Sequence, residues 1–373
     1  MNATPQRQVH PAASAVLILL VLVGVQWAWW RFLVWRPPPI SQRGVQGPSG
    51  SGPPEVRMPG RADVTVQTVA GAPQPGDTDG PAHAARYDRP TGIALDAAGN
   101  LYVADTGNHK IRIVSPTGET GTVAGRNAGF ADGAVREARF NAPCGVCVDP
   151  AGTIYVADTG NHSIRRIKDG QVTTLVGGPS GGNAAGLQVF RLLTGIAYVP
   201  GATPILVVPE ADGGRVLEFT TDGKLLGSRA TPGAPVSVAG SPESAAIPSP
   251  GTLALGSVLH RNIPLAGTED ASDAAAARIK LTRPLGLAAM GKGWLVTDAG
   301  HGAVMIVNNG KAKVLAGVCS TGDPQRGFRD GDGRSCQFGV LTGVVFDGKR
   351  FVYVTDTGNN SIRRLDVSEM ASQ

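Results

Sequence analysis

The residues able to do chemistry in this chain are few, and most of them recur. An aspartate closes a short apolar run at Asp105, Asp158, Asp298 and Asp356, each time just before a glycine-containing turn. A carboxylate in that place suits acceptance of hydrogen bonds from turn amides two residues on. A need that repeats is structural, whereas a dedicated site occurs once, so these four read as turn caps, and His109 and His162 follow the same logic. Glu210 is the odd carboxylate: it stands in VVPEADGGR where other copies carry Asp. It is a candidate for a dedicated site, with drift in a decaying copy as the alternative.

Metal chemistry needs several converging ligands. Of the six histidines, His10 lies near the N-terminus and two lie in the repeated turns, which leaves His83, His260 and His301. None stands in a ligand spacing such as H-x-x-x-H, so no cofactor is assigned, although ligands drawn from separate segments would show no spacing. Cys144 and Cys147 form C-G-V-C. In a strand, residues three apart point to opposite faces, which argues against a shared metal or disulfide and for buried structural thiols. Arg86, Arg139 and Arg278 recur in A-R-Y, A-R-F and A-R-I. They read either as partners of neighbouring aspartates or as an arginine rim for an anionic ligand.

These residues are positioned by an internal repeat. RPTGIALDAAGNLYVADTGNHKIRIVSPTGETGTVAG (89–125) returns as APCGVCVDPAGTIYVADTGNHSIRRIKDGQVTTLVGG (142–178), and in weaker form from Leu193, Arg283 and Leu341. A period of about 50 residues is that of a propeller blade. Each copy holds four short apolar runs separated by Gly, Asn and Asp, the pattern of a four-stranded antiparallel blade. The interval between the Gly195 and Gly286 copies leaves room for a hidden, degenerate fourth blade, with PVSVAG and TLALGSVLHRN as its strands. The expectation is an all-β, six-bladed propeller. The last copy stops after its third run, while an unattached VTVQTVAG (64–71) matches the fourth runs elsewhere. Pairing it into the last blade would close the ring and cover the exposed edge.

The core YVADTGNHxIRxI and the preceding DGPAHAARY and DGAVREARF resemble bacterial NHL-repeat proteins. The resemblance spans 63–368, with the fourth blade degenerate. It implies the propeller fold but no single activity, since such proteins include sensor ectodomains, RNA-binding modules and a peptide-amidating lyase.

Ahead of the propeller, 12–30 (AASAVLILLVLVGVQWAWW) has no ionisable side chain and is about long enough to span a bilayer. Trp27, Trp29, Trp30 and Trp35 mark an interfacial belt, and no small-residue cleavage site follows. The organisation expected is a tail (1–11), a single transmembrane signal anchor (12–35), a Pro/Gly/Ser-rich linker (36–62) and the propeller (63–373). The net charge of +5 resides in 1–62, where Arg7, Arg31, Arg36, Arg43, Arg57 and Arg61 face only Glu55. The propeller is therefore neutral, which disfavours nucleic acid as a partner.

Arginines following the anchor favour a cytoplasmic domain by the positive-inside rule. Cys319 and Cys336, which flank an inter-blade loop, favour the opposite side. A disulfide there would stabilise by about 3 kcal/mol and imply an oxidising compartment; free thiols are the alternative. With the resemblance to exported proteins, the reading taken is extracytoplasmic. The function expected is a membrane-anchored module that binds or senses an unknown protein or small molecule, using same-face loops that carry Arg86, Arg139, Glu210, Arg278 and His301. The alternative is a metal-dependent lyase or lactonase-like hydrolase with a metal at the channel mouth.

Overall fold

The computed structural model describes residues 63–179, 190, 192–212, 214–230, 237–238, 281, 283–290, 293–308, 311–317 and 326–368. Their strands form five sheets. Blade 1 is built from Pro90–Leu95, Leu101–Asp105, Lys110–Val114 and Thr120–Ala124, paired in that order. Blade 2 repeats the plan with Pro143–Val148, Ile154–Asp158, Ser163–Lys168 and Gln171–Gly177. Blade 3 spans 197–230, blade 4 spans 284–316 and blade 5 begins at Leu341–Phe346.

Local chemistry sets the hairpins. In the first turn of blade 1, Asp96 Oδ1 accepts from the amides of Ala98 and Asn100, and Gly99 supplies a φ of +87°. Asp149 repeats this in blade 2 with Ala151 and Thr153, and Asp347 repeats it in blade 5. Such Asx turns fix the register of the first two strands of a blade.

The first strand of each blade packs on the first strand of its neighbour: blade 1 on blades 2 and 5, blade 2 on blade 3, blade 4 on blade 5. These strands are therefore innermost. Glycine makes the approach possible: a Cβ on Gly92 would stand 2.6 Å from Cys144 O, and one on Gly343 would stand 2.5 Å from Thr91 O. Hydroxyls then stitch the seams. Thr91 Oγ1 donates to Cys144 O, Thr342 Oγ1 to Thr91 O and Thr297 Oγ1 to Thr342 O. Cys144 holds the place of Thr91 and Thr342 in its own blade, and its thiol reaches Leu193 O at 2.9 Å.

Apolar clusters fill the spaces between blades. Ile93 and Val103 of blade 1 meet Val345 and Ile362 of blade 5, and Ala94 and Ile111 meet Val146 and Val156 of blade 2. The sheets of blades 1, 2 and 5 are thus covered on both faces, which explains the near-continuous apolar runs of their inner strands.

Ring closure follows the expectation. Thr65–Gly71 pairs antiparallel with Ser361–Asp366 as the fourth strand of blade 5, with Thr65 opposite Asp366 and Gly71 opposite Ser361, and the two-residue strand Gly331–Asp332 pairs on its outer edge. Val64 and Val66 are buried beside Leu365 and Val367.

The blade count differs from the expectation: five sheets, not six, occur among the described residues. Ser237–Val238, expected to start a separate blade, instead runs parallel to Gly286–Leu287 at the edge of the blade 4 sheet. The other expected strand, 252–262, lies outside the described residues, as does the expected anchor at 12–35. Among the described residues no helix is long and apolar enough to cross a membrane.

Deleting 64–71 is expected to lower the urea midpoint of the whole domain, because two buried valines contribute about 1.5–3 kcal/mol each and the last blade gains an open edge. An unchanged midpoint would contradict the closure.

Candidate functional site

At the end of the second strand in blades 1, 2 and 5 the chain enters a one-turn 3₁₀ helix, Thr106–Asn108, Thr159–Asn161 and Thr357–Asn359. The aspartate before each turn is fully buried. It does not cap the turn amides as expected. Asp105 Oδ1 accepts from the amide of Asp88 in the incoming inter-blade strap, and Oδ2 accepts from Asn108 Nδ2 and from the Arg112 guanidinium at 2.8 Å. Asp158 does the same with Asn141, Asn161 and Arg165, and Asp356 with Gly339, Asn359 and Arg363.

Each arginine also reaches the strap. Arg112 donates to Arg86 O, Thr78 O and Asp79, and Asp79 accepts in turn from the amide of Thr122 in the outer strand. Arg165 and Asp132 form the equivalent contacts in blade 2, as do Arg363 and Asp330 in blade 5, where the outer-strand amide is that of Thr68. The guanidinium planes are stacked as well: Arg165 lies between Phe130 and Phe140, and Arg363 between Phe328 and Phe338. In blade 1, Tyr87 covers one side of Arg112, and Asp77 replaces the strap phenylalanine and pairs with Lys110.

Burial pushes the carboxyl of Asp105 up to about 6, against the pull of Asn108, the Asp88 amide and Arg112. Asp158 and Asp356 are raised for the same reason. Arg112 is raised despite its burial, chiefly by Asp105 and Asp79, and so stays charged.

Blades 3 and 4 depart from this plan. Blade 4 keeps Asp298 but carries His301 where the others carry Asn, with Nδ1 2.9 Å from Asp298 Oδ2, and buried Met305 where they carry Arg. In blade 3 the buried Glu210 pairs with Arg215 directly across the hairpin. Glu210 and His301 are thus each engaged within their own blade, by Arg215 and Asp298. Of the expected arginines, Arg86 donates to His83 O and Ala85 O within its strap, and Arg139 is exposed. Arg278 lies outside the described residues. Cys147 is fully buried, and a β-bulge between Pro143 and Gly145 lets both Cys144 and Cys147 contact one apolar cluster, contrary to simple alternation. Cys336 is buried in the cluster between blades 4 and 5, and Cys319 lies outside the described residues. Among the described residues no group of three His, Cys, Asp or Glu could hold a metal ion.

Arg112, Arg165 and Arg363 had no role in the sequence reading, although each stands seven residues after its aspartate. That constant interval was the available signal.

The NHL repeat family matches residues 87–114 and 140–167, the segments that contain the turn aspartate, asparagine and arginine of this cluster in blades 1 and 2. Two NHL repeats thus lie in blades 1 and 2 of the propeller. The NHL repeat-containing protein 2 of Homo sapiens is 41% identical over 95 residues, covering 24% of this chain and 13% of that protein. The chloroplastic protein SUPPRESSOR OF QUENCHING 1 of Arabidopsis thaliana is 36% identical over 107 residues, covering 27% of this chain and 10% of that protein. The match to these relatives therefore spans a small part of their length. A solved protein of Bacteroides thetaiotaomicron named as a candidate phosphatase aligns over 81% of this chain and 78% of its own at a TM-score of 0.50 and 15% identity, which supports the fold alone.

Two outcomes are expected from the NHL cluster. Arg165→Met leaves Asp158 buried without its cation and costs about 3–5 kcal/mol, whereas adding Asp158→Asn recovers much of the loss, since blade 4 packs Met305 at this position. Additive losses in urea melts would contradict the pairing. In carboxyl NMR, Asp105 titrates at about 6, and Arg112→Met moves it higher. Its folded value lies above its unfolded one, so this group favours the folded state below the unfolded value, and that contribution falls as pH rises through about 6.

Proposed function

We propose that the protein is a membrane-tethered binding module whose straps engage a protein or small-molecule ligand. The observation that carries this reading is the division of labour in the straps. The buried aspartates and arginines beneath them are committed to one another, while on the straps Arg139 is exposed and Phe130 and Phe328, each with one face on a guanidinium, stay 39% and 40% exposed. Exposed aromatic and arginine side chains on a rigid scaffold are suited to recognition.

The apolar segment 12–30, its tryptophan belt and the linker that follows support the tether. The aligned pair Cys319 and Cys336 supports an extracytoplasmic propeller. The neutral charge of the propeller argues against nucleic acid as ligand.

A photocrosslinking side chain at Arg139 or Phe130 is expected to trap a discrete adduct in native membranes, and one at Lys349, in a hairpin at the opposite ends of the strands, is not. Equal labelling from both positions would sink the assignment of the binding face. The full chain should stay with membranes after alkaline carbonate extraction, and deletion of 12–30 should release it. Cys319 and Cys336 should resist alkylation until reduced; ready alkylation of both, with protection of the propeller from protease added to spheroplasts, would place it in the cytoplasm. Stoichiometric zinc or calcium in the purified full chain, coupled to turnover of an ester or peptide substrate, would favour the hydrolase or lyase reading instead.

A further inference from the structure

Each 3₁₀ turn in blades 1, 2 and 5 ends in a residue of left-handed conformation: His109 at φ 57°, His162 at 51° and Asn360 at 50°. From this position the side chain can cross to the neighbouring blade. Asn360 Oδ1 accepts the amide of Arg89, and its Nδ2 donates to Pro73 O. His109 Nδ1 accepts the amide of Ala142 at 3.0 Å. The two amides caught are themselves unusual, since Arg89 and Ala142 are non-glycine residues at φ 51° and 46°. Each immediately precedes the proline that opens an inner strand. A conformation this unfavourable for an L-residue persists only where its surroundings hold it.

The two latches share a geometry but differ in chemistry. An amide oxygen accepts at any pH. An imidazole nitrogen accepts only while it lacks a proton, so the Ala142 contact requires the tautomer with hydrogen on Nε2. Protonation turns Nδ1 into a donor facing a donor. His162, at the same repeat position, has its Nδ1 enclosed with no partner among the described residues, so it holds no equivalent amide.

We propose that His109 is a proton-operated latch on the seam between blades 1 and 2, closed at neutral pH and opened by mild acid. The matching Asn360 latch between blades 5 and 1 is indifferent to pH. Opening frees Ala142 from its left-handed conformation at the start of the blade 2 inner strand, beside Thr106 Oγ1, which donates to Pro143 O. The seam therefore loosens on the strap side of the propeller. The inference does not depend on what ligand the straps bind.

The charged groups around the ring are consistent with a latch closed at neutrality. Burial, and then the Arg89 guanidinium, hold His109 below the ordinary histidine range, opposed by Asp88. In its own blade Lys110 is engaged by Asp77, and Arg126 by Glu137. Asp105, before the same turn, is engaged by Arg112, Asn108 and the Asp88 amide, and on the blade 2 side Asp158 is engaged by Arg165, Asn161 and the Asn141 amide. Both carboxyls are raised by burial, so His109→Asn, which leaves them in place, separates their titration from that of the latch.

The test is hydrogen exchange of the detergent-solubilised full chain at neutral pH and at about pH 5, with rates corrected for intrinsic exchange. The amide of Ala142 is expected to lose about tenfold in protection at the acid pH, the scale of one hydrogen bond, and this loss is expected to vanish in His109→Asn, where Asp105 and Asp158 still titrate. Asn tolerates the left-handed conformation, so His109→Asn should fold and hold Ala142 equally at both pH values, as Asn360 holds Arg89. Nitrogen NMR should show His109 protonated on Nε2 alone at neutral pH, a signature that a purely packing role would not require. Protection of Ala142 that is independent of pH in the wild-type chain, or an equal acid-induced loss in His109→Asn, would overturn the proposal.

Discussion

The third-strand arginine of blades 1, 2 and 5 is the group on which the local architecture depends. One guanidinium has donors in a fixed planar fork, and here they are distributed among a turn aspartate, a strap aspartate and two strap carbonyls. A single side chain thereby ties the turn, the incoming strap and, through the strap aspartate, the outer strand. An apolar residue could fill the space but could not set the strap's height and register. A buried ion pair of this kind adds less to stability than its geometry suggests, because both charges are desolvated. Its contribution is specificity: the strap has one place to lie.

Seam formation is a separate problem with a separate solution. Inner strands converge near the axis, where there is little room for side chains, so glycine stands at Gly92, Gly145, Gly286 and Gly343. Threonine hydroxyls then donate to the carbonyls that the close approach brings into reach. Cys144 shows that a thiol can stand in for the hydroxyl, and the bulge beside it shows how the strand adjusts. Burial pushes that thiol up to about 12, so it serves as a neutral donor and not as a nucleophile.

Blades 3 and 4 show what happens when the arginine is lost. With Leu217 and Met305 in its place, the acidic group finds a nearer cation or imidazole: Arg215 for Glu210 and His301 for Asp298. In blade 4 the acid keeps a strap amide, that of Arg283, and in addition accepts from the turn amide of Gly300, the cap expected at this position that the aspartates of blades 1, 2 and 5 do not make.

The sequence by itself determined the repeat, the four-stranded blade and the closing strand, because all three are written as local periodicity and turn chemistry in contiguous segments. VTVQTVAG could be matched to blade 5 from its likeness to GTVAG and TTLVGG alone. It also carried the seven-residue interval from aspartate to arginine, but not its meaning. Only the tertiary structure decided which acids are buried with which cations, that Cys144 replaces a seam hydroxyl, and that Ser237–Val238 joins the blade 4 sheet. These outcomes depend on contacts between segments far apart in the chain, such as Thr68 with Asp330 and Arg89 with Asn360. Strand spacing constrains blade membership only loosely: Ser237–Val238 is spaced for a blade of its own, yet pairs with the inner strand of blade 4.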